Sequence, residues 1–480
     1  MKNHFFLLWV LTLTGFLTAR SEITLPSIIG SNMVLQQKSK VPLWGKARPH
    51  ATVRVTTSWD HGMISTVAAA DSSWKVLVKT PAAGGPFTIT LEEGTGKLAA
   101  GSASSGKKLV LTNVLIGEVW VCSGQSNMEM PVKGFKNQPV LHSNELLLDA
   151  GNPEIRLFRL ERGLSRKGET DCKATPWEEA NALSVKEFSA VGYQYAKALQ
   201  EKLKVPVGVI MPTWGGTVIE AWMDKNSLAA FPEIKIPSPT DTSKINKNEP
   251  TVLFNAMINP LIGYGIKGVI WYQGEQNRVN PRIYDRLMAA MVKEWRTLWN
   301  GGDWPFYYVQ IAPYAYNDTL GPAAPLREAQ ARALPQIPHS GMVVSLDAGE
   351  EHSIHPADKT TISRRLVCWA LANTYGWSGL AYESPVYHSM KVVKDAVLIS
   401  FDNTPNGLTS FGKPIAAFEV AGEDRIFYPA KAKITGAGIT VQSDSVRTPV
   451  AVRYGYKDWV TGDLYNTEGL PVAPFRTDSW

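Results

Sequence analysis

The chain predicts an α/β fold, with a parallel sheet in a central segment and a β-rich module on either side of it. Three observations carry this. Short alternating runs separated by Gly, Pro and Ser turns fill residues 22–111, the spacing of a β-sandwich. Apolar strands then alternate with long amphipathic helices over residues 112–378, which implies a parallel sheet covered on both faces. Short β runs return over residues 379–480. At 480 residues the chain is too long for one ordinary core, so several units are expected.

The elements follow in order. Lys2 and His4 precede the apolar run Phe5 to Leu17, and Thr18 and Ala19 follow, which predicts a secretory signal over residues 1–20 cut after Ala19. The run is shorter than the roughly 18 residues of a spanning helix, so an exported protein (periplasmic or extracellular) without a stable membrane anchor is expected. In the first β module the strands are read at Thr52 to Val55, Trp74 to Val78 and Phe87 to Leu91. In the centre, strands are expected at Val114 to Cys122, Ile155 to Leu160, Val207 to Met211, Gly268 to Tyr272, Phe306 to Ile311 and Met342 to Leu346. Helices are expected over Lys186 to Leu203, Pro281 to Trp299 and Pro356 to Thr374, the two prolines standing where a helix begins. Pro232 to Pro250 reads as a surface loop. The last module, read as a second sandwich, has strand runs at Ala396 to Phe401, Ala416 to Val420, Ile439 to Val441 and Ala451 to Tyr456.

Composition narrows the function classes. The net charge of +6 is spread along the chain with no Lys/Arg block, which gives nucleic-acid binding no support. Sixteen tryptophans suit either a β-rich core or the flat C–H faces of sugars. Three cysteines cannot form a disulfide framework; one bridge or three free thiols both fit. None has zinc-site spacing, and no cofactor or metal is expected.

In an open parallel sheet, ligands bind outside the carboxyl ends of the strands. The residues following four of the strands are therefore informative. They are Ser123-Gly124-Gln125-Ser126-Asn127-Met128, then Pro212-Thr213-Trp214-Gly215-Gly216-Thr217, then Gln273-Gly274-Glu275-Gln276-Asn277, and finally Asp347 through His355-Pro356. A serine, a glycine pair, an amide cluster and a histidine are the parts of an acyl-transfer site. Ser126 needs a base to take its proton, and His355 has the side chain suited to that. A tetrahedral oxyanion needs N–H donors. Gly216 and Ser126 can offer backbone groups, and Gln273 and Asn277 can offer amide groups. Gln125, beside the serine, completes the candidate oxyanion and substrate-binding set.

The run Gly117 to Pro131, containing Gly124-Gln125-Ser126-Asn127-Met128, resembles the nucleophile block of the sialate O-acetylesterase family, in the SGNH hydrolase superfamily. Trp214-Gly215-Gly216-Thr217 with Ile219-Glu220-Ala221-Trp222 is similar to its glycine block, Trp271 to Asn277 to its amide block, and His355-Pro356 with Lys359 to its histidine block. Val452-Arg453-Tyr454 and Gly469-Leu470-Pro471 through Asp478 also look familial. The resemblance implies an SGNH/flavodoxin-like sheet and hydrolysis of acetyl esters on a glycan. The acceptor would be sialic acid or a related sugar, with an acetylated hemicellulose as the alternative. It implies Ser126 as nucleophile, His355 as base and Gly216 as oxyanion donor, with Gln273 before Asn277 for the amide donor. One departure stands out. The family pattern has an Asp two or three residues before the histidine, and Ser353 and His352 stand there. Either Glu351 substitutes, ahead of Asp347 and Glu350, or a backbone carbonyl or neutral side chain holds His355 in a dyad. A helix beginning at Pro356 would help keep the ring neutral.

Three rival readings remain in view. Glu350, Glu351, His352 and His355 cluster, but without the spacing of a metal hydrolase. Glu129, Glu220 and Glu275 could furnish a glycosidase pair, which would leave Ser126 without a role. A non-catalytic glycan-binding protein would use the β modules and tryptophans.

Overall fold

The computed structural model describes residues 23–94, 108–436 and 438–480; the expected signal segment lies outside the described residues. The first strands are β1 (Val34–Gln36), β2 (Lys40–Lys46), β3 (Thr52–Thr57), β4 (Met63–Val67), β5 (Ser73–Lys79) and β6 (Gly84–Gly94). They lead into a 17-residue strand, β7 (Lys108–Gly124), which runs straight through position 111. Its first half pairs antiparallel with β6, and its middle pairs parallel with β1. Its last half is the centre of the parallel sheet.

That sheet is completed by β8 (Asn152–Arg159), β9 (Glu178–Ala180), β10 (Val207–Met211), β11 (Gly268–Tyr272), β12 (Phe306–Val309) and β13 (Ser340–Val343). The order is β13-β12-β11-β7-β10-β8-β9, all parallel except the edge pair β8 and β9. After β7 the chain skips one position to lay down β8, returns to fill the gap with β10, then crosses to β11 and builds outward on the other side through β12 and β13. The reversal flanks β7, and Ser126 follows β7 at that point.

Alternation along β7 sorts its side chains to the two faces. Trp120 and Cys122 pack with Tyr195 and Leu199 of helix Ala190–Leu203 and with Leu366 and Trp369 of helix Lys359–Trp369. Val119 and Val121 belong to the opposite core with Leu287, Met288 and Trp295 of helix Tyr284–Trp299 and Leu326 of helix Ala324–Ala333. This second core runs on without a break into Leu43 and Val55 before the sheet, and Val397 and Tyr454 after it. Among the described residues nine tryptophans are buried, five of them wholly (Trp120, Trp177, Trp222, Trp271, Trp295), so most of this residue serves the core. The C-terminal segment forms two four-stranded sheets and a two-stranded one that includes Leu408–Thr409. All three cysteines are free; burial pushes the Cys122 thiol up to about 12, which leaves it inert.

Differences from the expected elements have local causes. The helix expected from Pro356 begins at Lys359, because the Asp358 carboxylate accepts the Thr361 N–H (3.0 Å) and so sets the N-cap. The helix expected from Lys186 is split, and Ser189 caps its main part through the Gly192 N–H (3.0 Å). Helix Ala324–Ala333 carries only a weak apolar stripe and was not anticipated from sequence. The 232–250 loop is irregular and largely exposed, yet it is held at its far end. Arg166 donates to the carbonyls of Asp241 and Ser243 (2.7 and 3.0 Å) and to both carboxylate oxygens of Glu249.

Gly124 is a point of close backbone approach in the sheet. Its φ is +136°, and a Cβ there would lie 2.2 Å from the Tyr272 carbonyl oxygen. Gly124→Ala is expected to cost more than about 2 kcal/mol in urea denaturation, whereas Gly151→Ala, with nothing within 4 Å, should stay within about 0.5 kcal/mol.

Candidate active site

Where β7 ends, the backbone is clamped from both sides. The Gln125 N–H donates to the Tyr272 carbonyl (2.9 Å) and the Trp214 N–H to the Gly124 carbonyl (3.1 Å). The chain then turns at once into the short helix Ser126–Glu129. Gln125 sits at the N-cap position without capping. Its buried Oε1 instead accepts the N–H groups of Gly274 (3.2 Å) and Gln276 (3.4 Å), tying the serine turn to the amide loop. Ser126 opens the helix, half-buried, so its N–H has no intrahelical acceptor.

The glycine loop lies directly against the serine. A Cβ on Gly215 would be 3.0 Å from both Ser126 Cβ and Glu129 Oε2, so any larger residue would press on the serine turn. The Gly215 N–H donates to Glu129 Oε2 (2.8 Å), and Gly216 follows in the left-handed region at φ +66°. Two cations rim the loop. Arg162 meets Glu129 Oε1 (2.7 Å) and lies 5.6 Å from the Trp214 ring centroid. Lys247, delivered by the 232–250 loop, donates to the Gly215 carbonyl (2.6 Å). Burial, and then the charge of Arg162, pull the Lys247 ammonium below its ordinary range.

Two side chains of the amide loop, Gln273 and Asn277, turn inward to the glycine loop. Gln273 is fully buried and spends both amide hydrogens, one on the Thr217 carbonyl (2.9 Å) and one on Asn277 Oδ1 (2.7 Å). Its Oε1 accepts from the Tyr284 hydroxyl (2.8 Å). Gln273 therefore has no N–H left for a substrate. Asn277 uses one hydrogen on Glu220 Oε2 (2.8 Å), and its Oδ1 also accepts the Ile219 N–H (2.8 Å). Both amides thus brace the glycine loop from behind. Burial raises the Glu220 carboxyl above its usual range.

The histidine loop is brought in by backbone and side-chain ties. The Leu141 N–H donates to the Ala357 carbonyl (3.0 Å), and Asn127 Nδ2 donates to the Ile354 carbonyl (3.0 Å), one residue before His355. Nδ1 of half-buried His355 lies 2.7 Å from Gln138 Oε1. An amide oxygen only accepts, so with Gln138 Oε1 in that place the tautomer that completes the bond has its proton on Nδ1 and leaves Nε2 as the basic nitrogen. The Phe135 ring packs edge-on at 5.2 Å, in a tight turn closed by Phe135 and Gln138 exchanging backbone hydrogen bonds (2.9 and 3.0 Å).

None of the three candidate acids meets His355. Glu351 is exposed, its carboxylate beside His352 at 3.9 Å. Glu350 accepts the Ala357 N–H (2.6 Å), and Asp347 is bidentate with Arg365 (2.7 Å twice). Gln138, which sequence reasoning missed, occupies the place of the triad acid. Burial, with the Lys359 charge added, pushes the His355 imidazole down to about 4.

Beneath the serine lies a buried polar hub. Asn127 Oδ1 accepts from Lys359 Nζ (2.6 Å), and its Nδ2 donates to Glu275 Oε1 (2.6 Å) as well as to Ile354. Burial raises the Glu275 carboxyl above its usual range and pushes the Lys359 ammonium down to about 7. Glu129, Glu220 and Glu275 are thus each engaged in holding a loop. Among the described residues no cluster of three His, Cys, Asp or Glu side chains could hold a metal, and no helix is long and apolar enough to cross a membrane.

A serine at the reversal point of a parallel sheet, backed by a glycine loop and a histidine loop, defines a hydrolase of carboxylic esters. The sequence profile of a carbohydrate esterase family, the sialic acid-specific acetylesterases, matches residues 116–375. A sialate O-acetylesterase from Pongo abelii is 30% identical, over 94% of this chain and 91% of its own, and one from Homo sapiens is 29% identical over the same shares. The crystal structure of a carbohydrate acetylesterase from Xanthomonas citri superposes with a TM-score of 0.84 at 33% identity, covering 96% of this chain and all of that one. The chain belongs to the sialic acid-specific acetylesterase family of carbohydrate esterases.

The imidazole environment is directly measurable. In a pH titration followed by NMR of ring-labelled histidine, His355 should protonate with a midpoint near 4 rather than at the ordinary 6.5. With that midpoint the ring is neutral above about pH 5, and if it serves as the base, kcat/KM should not fall on the acid side until pH approaches it.

Proposed function

We propose that this enzyme removes acetyl groups from a glycan through an acetyl-serine intermediate on Ser126. His355 Nε2 takes the Ser126 proton as Oγ attacks the acetyl carbonyl. The resulting oxyanion accepts hydrogen bonds from the N–H groups of Ser126 and Gly216. His355 then protonates the departing sugar oxygen, and a water activated by the same nitrogen releases acetate. Gln138 holds the other ring nitrogen, so the catalytic unit is a Ser-His dyad oriented by a neutral amide. The observation that carries this reading is the 2.7 Å contact between His355 Nδ1 and Gln138 Oε1, beside a serine turn that three loops clamp. Asn277, with an amide hydrogen to spare, is favoured over Gln273 as any side-chain donor to the oxyanion.

A charged acceptor sugar is favoured over a neutral hemicellulose. Arg162 and Lys247 against the single charge of Glu129 leave one positive charge beside the glycine loop, suited to a sugar carboxylate such as that of sialic acid. Two further parts of the reading rest on sequence pattern. The apolar run Phe5 to Leu17 supports export, and the alternating β runs support sandwich modules at each end.

Acetate release by Ser126→Ala should fall at least about 10³-fold with folding intact; retention of more than about a tenth would sink the serine mechanism. Gln138→Ala should lower kcat by about 10- to 100-fold, while Glu351→Gln, Glu350→Gln and Asp347→Asn each keep more than about a hundredth. A loss near 10⁴-fold in one of those three would restore a conventional triad.

For the acceptor, the measurement is kcat/KM on an O-acetylated sugar acid divided by that on its methyl ester. The ratio should exceed about 10 in the wild type and drop toward one in Lys247→Met; a ratio near one in the wild type would favour the neutral hemicellulose.

A further inference from the structure

Lys359 has no part in the proton transfers above, yet it is almost fully buried and reaches into the site from the first turn of helix Lys359–Trp369. Burying an ammonium is costly unless it is paired and hydrogen-bonded. Its bond goes to Asn127 Oδ1 (2.6 Å). The charged and titratable groups facing it are Glu275 from the amide loop, and Glu350, Asp358 and His355 from the histidine loop. Glu350 and Asp358 are occupied by the backbone N–H groups of Ala357 and Thr361.

The geometry bears on Asn127. The two ends of an amide are almost the same shape, so packing alone does not choose between its two orientations. Here the choice is electrostatic. The ammonium stands at the oxygen, and the Glu275 carboxylate and Ile354 carbonyl stand at the nitrogen (2.6 and 3.0 Å). With the amide turned over, its NH2 would face Lys359 and its oxygen would face two acceptors. The orientation observed is the one that grips the histidine loop one residue before His355, from a side chain one residue after Ser126.

We propose that Lys359 is a positioning residue for ester hydrolysis: it locks the Asn127 amide so that the serine turn and the histidine loop are held in register. The inference rests on the Ser126–His355 reading and adds to it the part that sets their mutual geometry. Lys359 also stands close enough to His355 for its charge to disfavour a protonated ring, which gives the role a signature distinct from general destabilisation.

The test uses the full chain in two variants. Lys359→Met removes the charge and the donor, and Lys359→Gln removes the charge but keeps a donor for Asn127. With an acetylated sugar as substrate, Lys359→Met should lower kcat by about 10- to 100-fold with KM within about threefold, and Lys359→Gln should recover part of that loss. In both, the acid limb of kcat/KM should move up by at least about 0.5 pH unit, since the like charge beside His355 is gone. A folded variant with the acid limb unmoved overturns the proposal, as does a Met variant within threefold of wild-type kcat. If Met does not fold, the Gln variant alone decides by its limb. Ser126→Ala measured alongside keeps the two readings apart. Activity that survives it overturns the serine mechanism and this inference together, whereas an unmoved limb overturns this inference only.

Discussion

The site depends on the contact at the end of β7, where the backbone of Gly124 passes so close to the Tyr272 carbonyl that no side chain fits between them. Parallel pairing brings β7 and β11 to that point in register, with Tyr272 opposite Gly124. The next residue, Gln125, continues the ladder with its N–H and then sends its side chain across to the amide loop. The serine is thus held by backbone geometry, and its orientation owes little to its own side chain. Catalytic geometry set by sheet register is stiff, since a shift of one residue would turn every β7 side chain to the opposite core.

The histidine is held differently. A carboxylate partner would stabilise the imidazolium that forms during proton transfer, whereas a glutamine carbonyl fixes the tautomer and the ring plane without adding charge. Buried Lys359 makes the surroundings still less hospitable to a cation. In the proposed mechanism His355 would therefore be a weak base in the resting enzyme, and proton transfer to it more uphill than in an acid-backed triad. What the arrangement retains is preorganisation. Asn127, Leu141 and Gln138 each tie the histidine loop to the segment that follows the serine.

The parts of the site lying in unbroken strand-end motifs were legible in the sequence. Val207–Met211 and Gly268–Tyr272 have the bounds that their apolar runs suggest, because a buried parallel strand is a continuous apolar run with turn residues after it. The glycine pair follows the first of these and Ser126 follows β7 in the same way, while His355 lies in the longer loop after β13. Gln138 could not be read from the sequence, since it lies in an exposed-looking Lys136-Asn137-Gln138-Pro139 turn and its partner is 217 residues away. Nor could the inward turn of Gln273, because a side-chain amide gives no sign in sequence of which of its neighbours it will bond. Pro356 misled in its own way: proline suits the first helical position, but the stronger Asp358 cap lies two residues further on. The carboxylates Glu350 and Glu351 sit close to His355 in sequence, and nearness along a chain says little about contact across a bent loop.

The length of β7 has a further consequence. One strand serves the N-terminal sheet with its first half and the centre of the parallel sheet with its second, and the core on one face continues from Val55 to Val121 without interruption. Two sheets that share a strand cannot lose their order independently, because fraying one end of β7 releases hydrogen bonds that position the other. The N-terminal module is in this sense a splint for the catalytic strand. Changes selected at its outer surface, far from any substrate, would be felt at Ser126 as changes in how firmly the last turn of β7 is anchored.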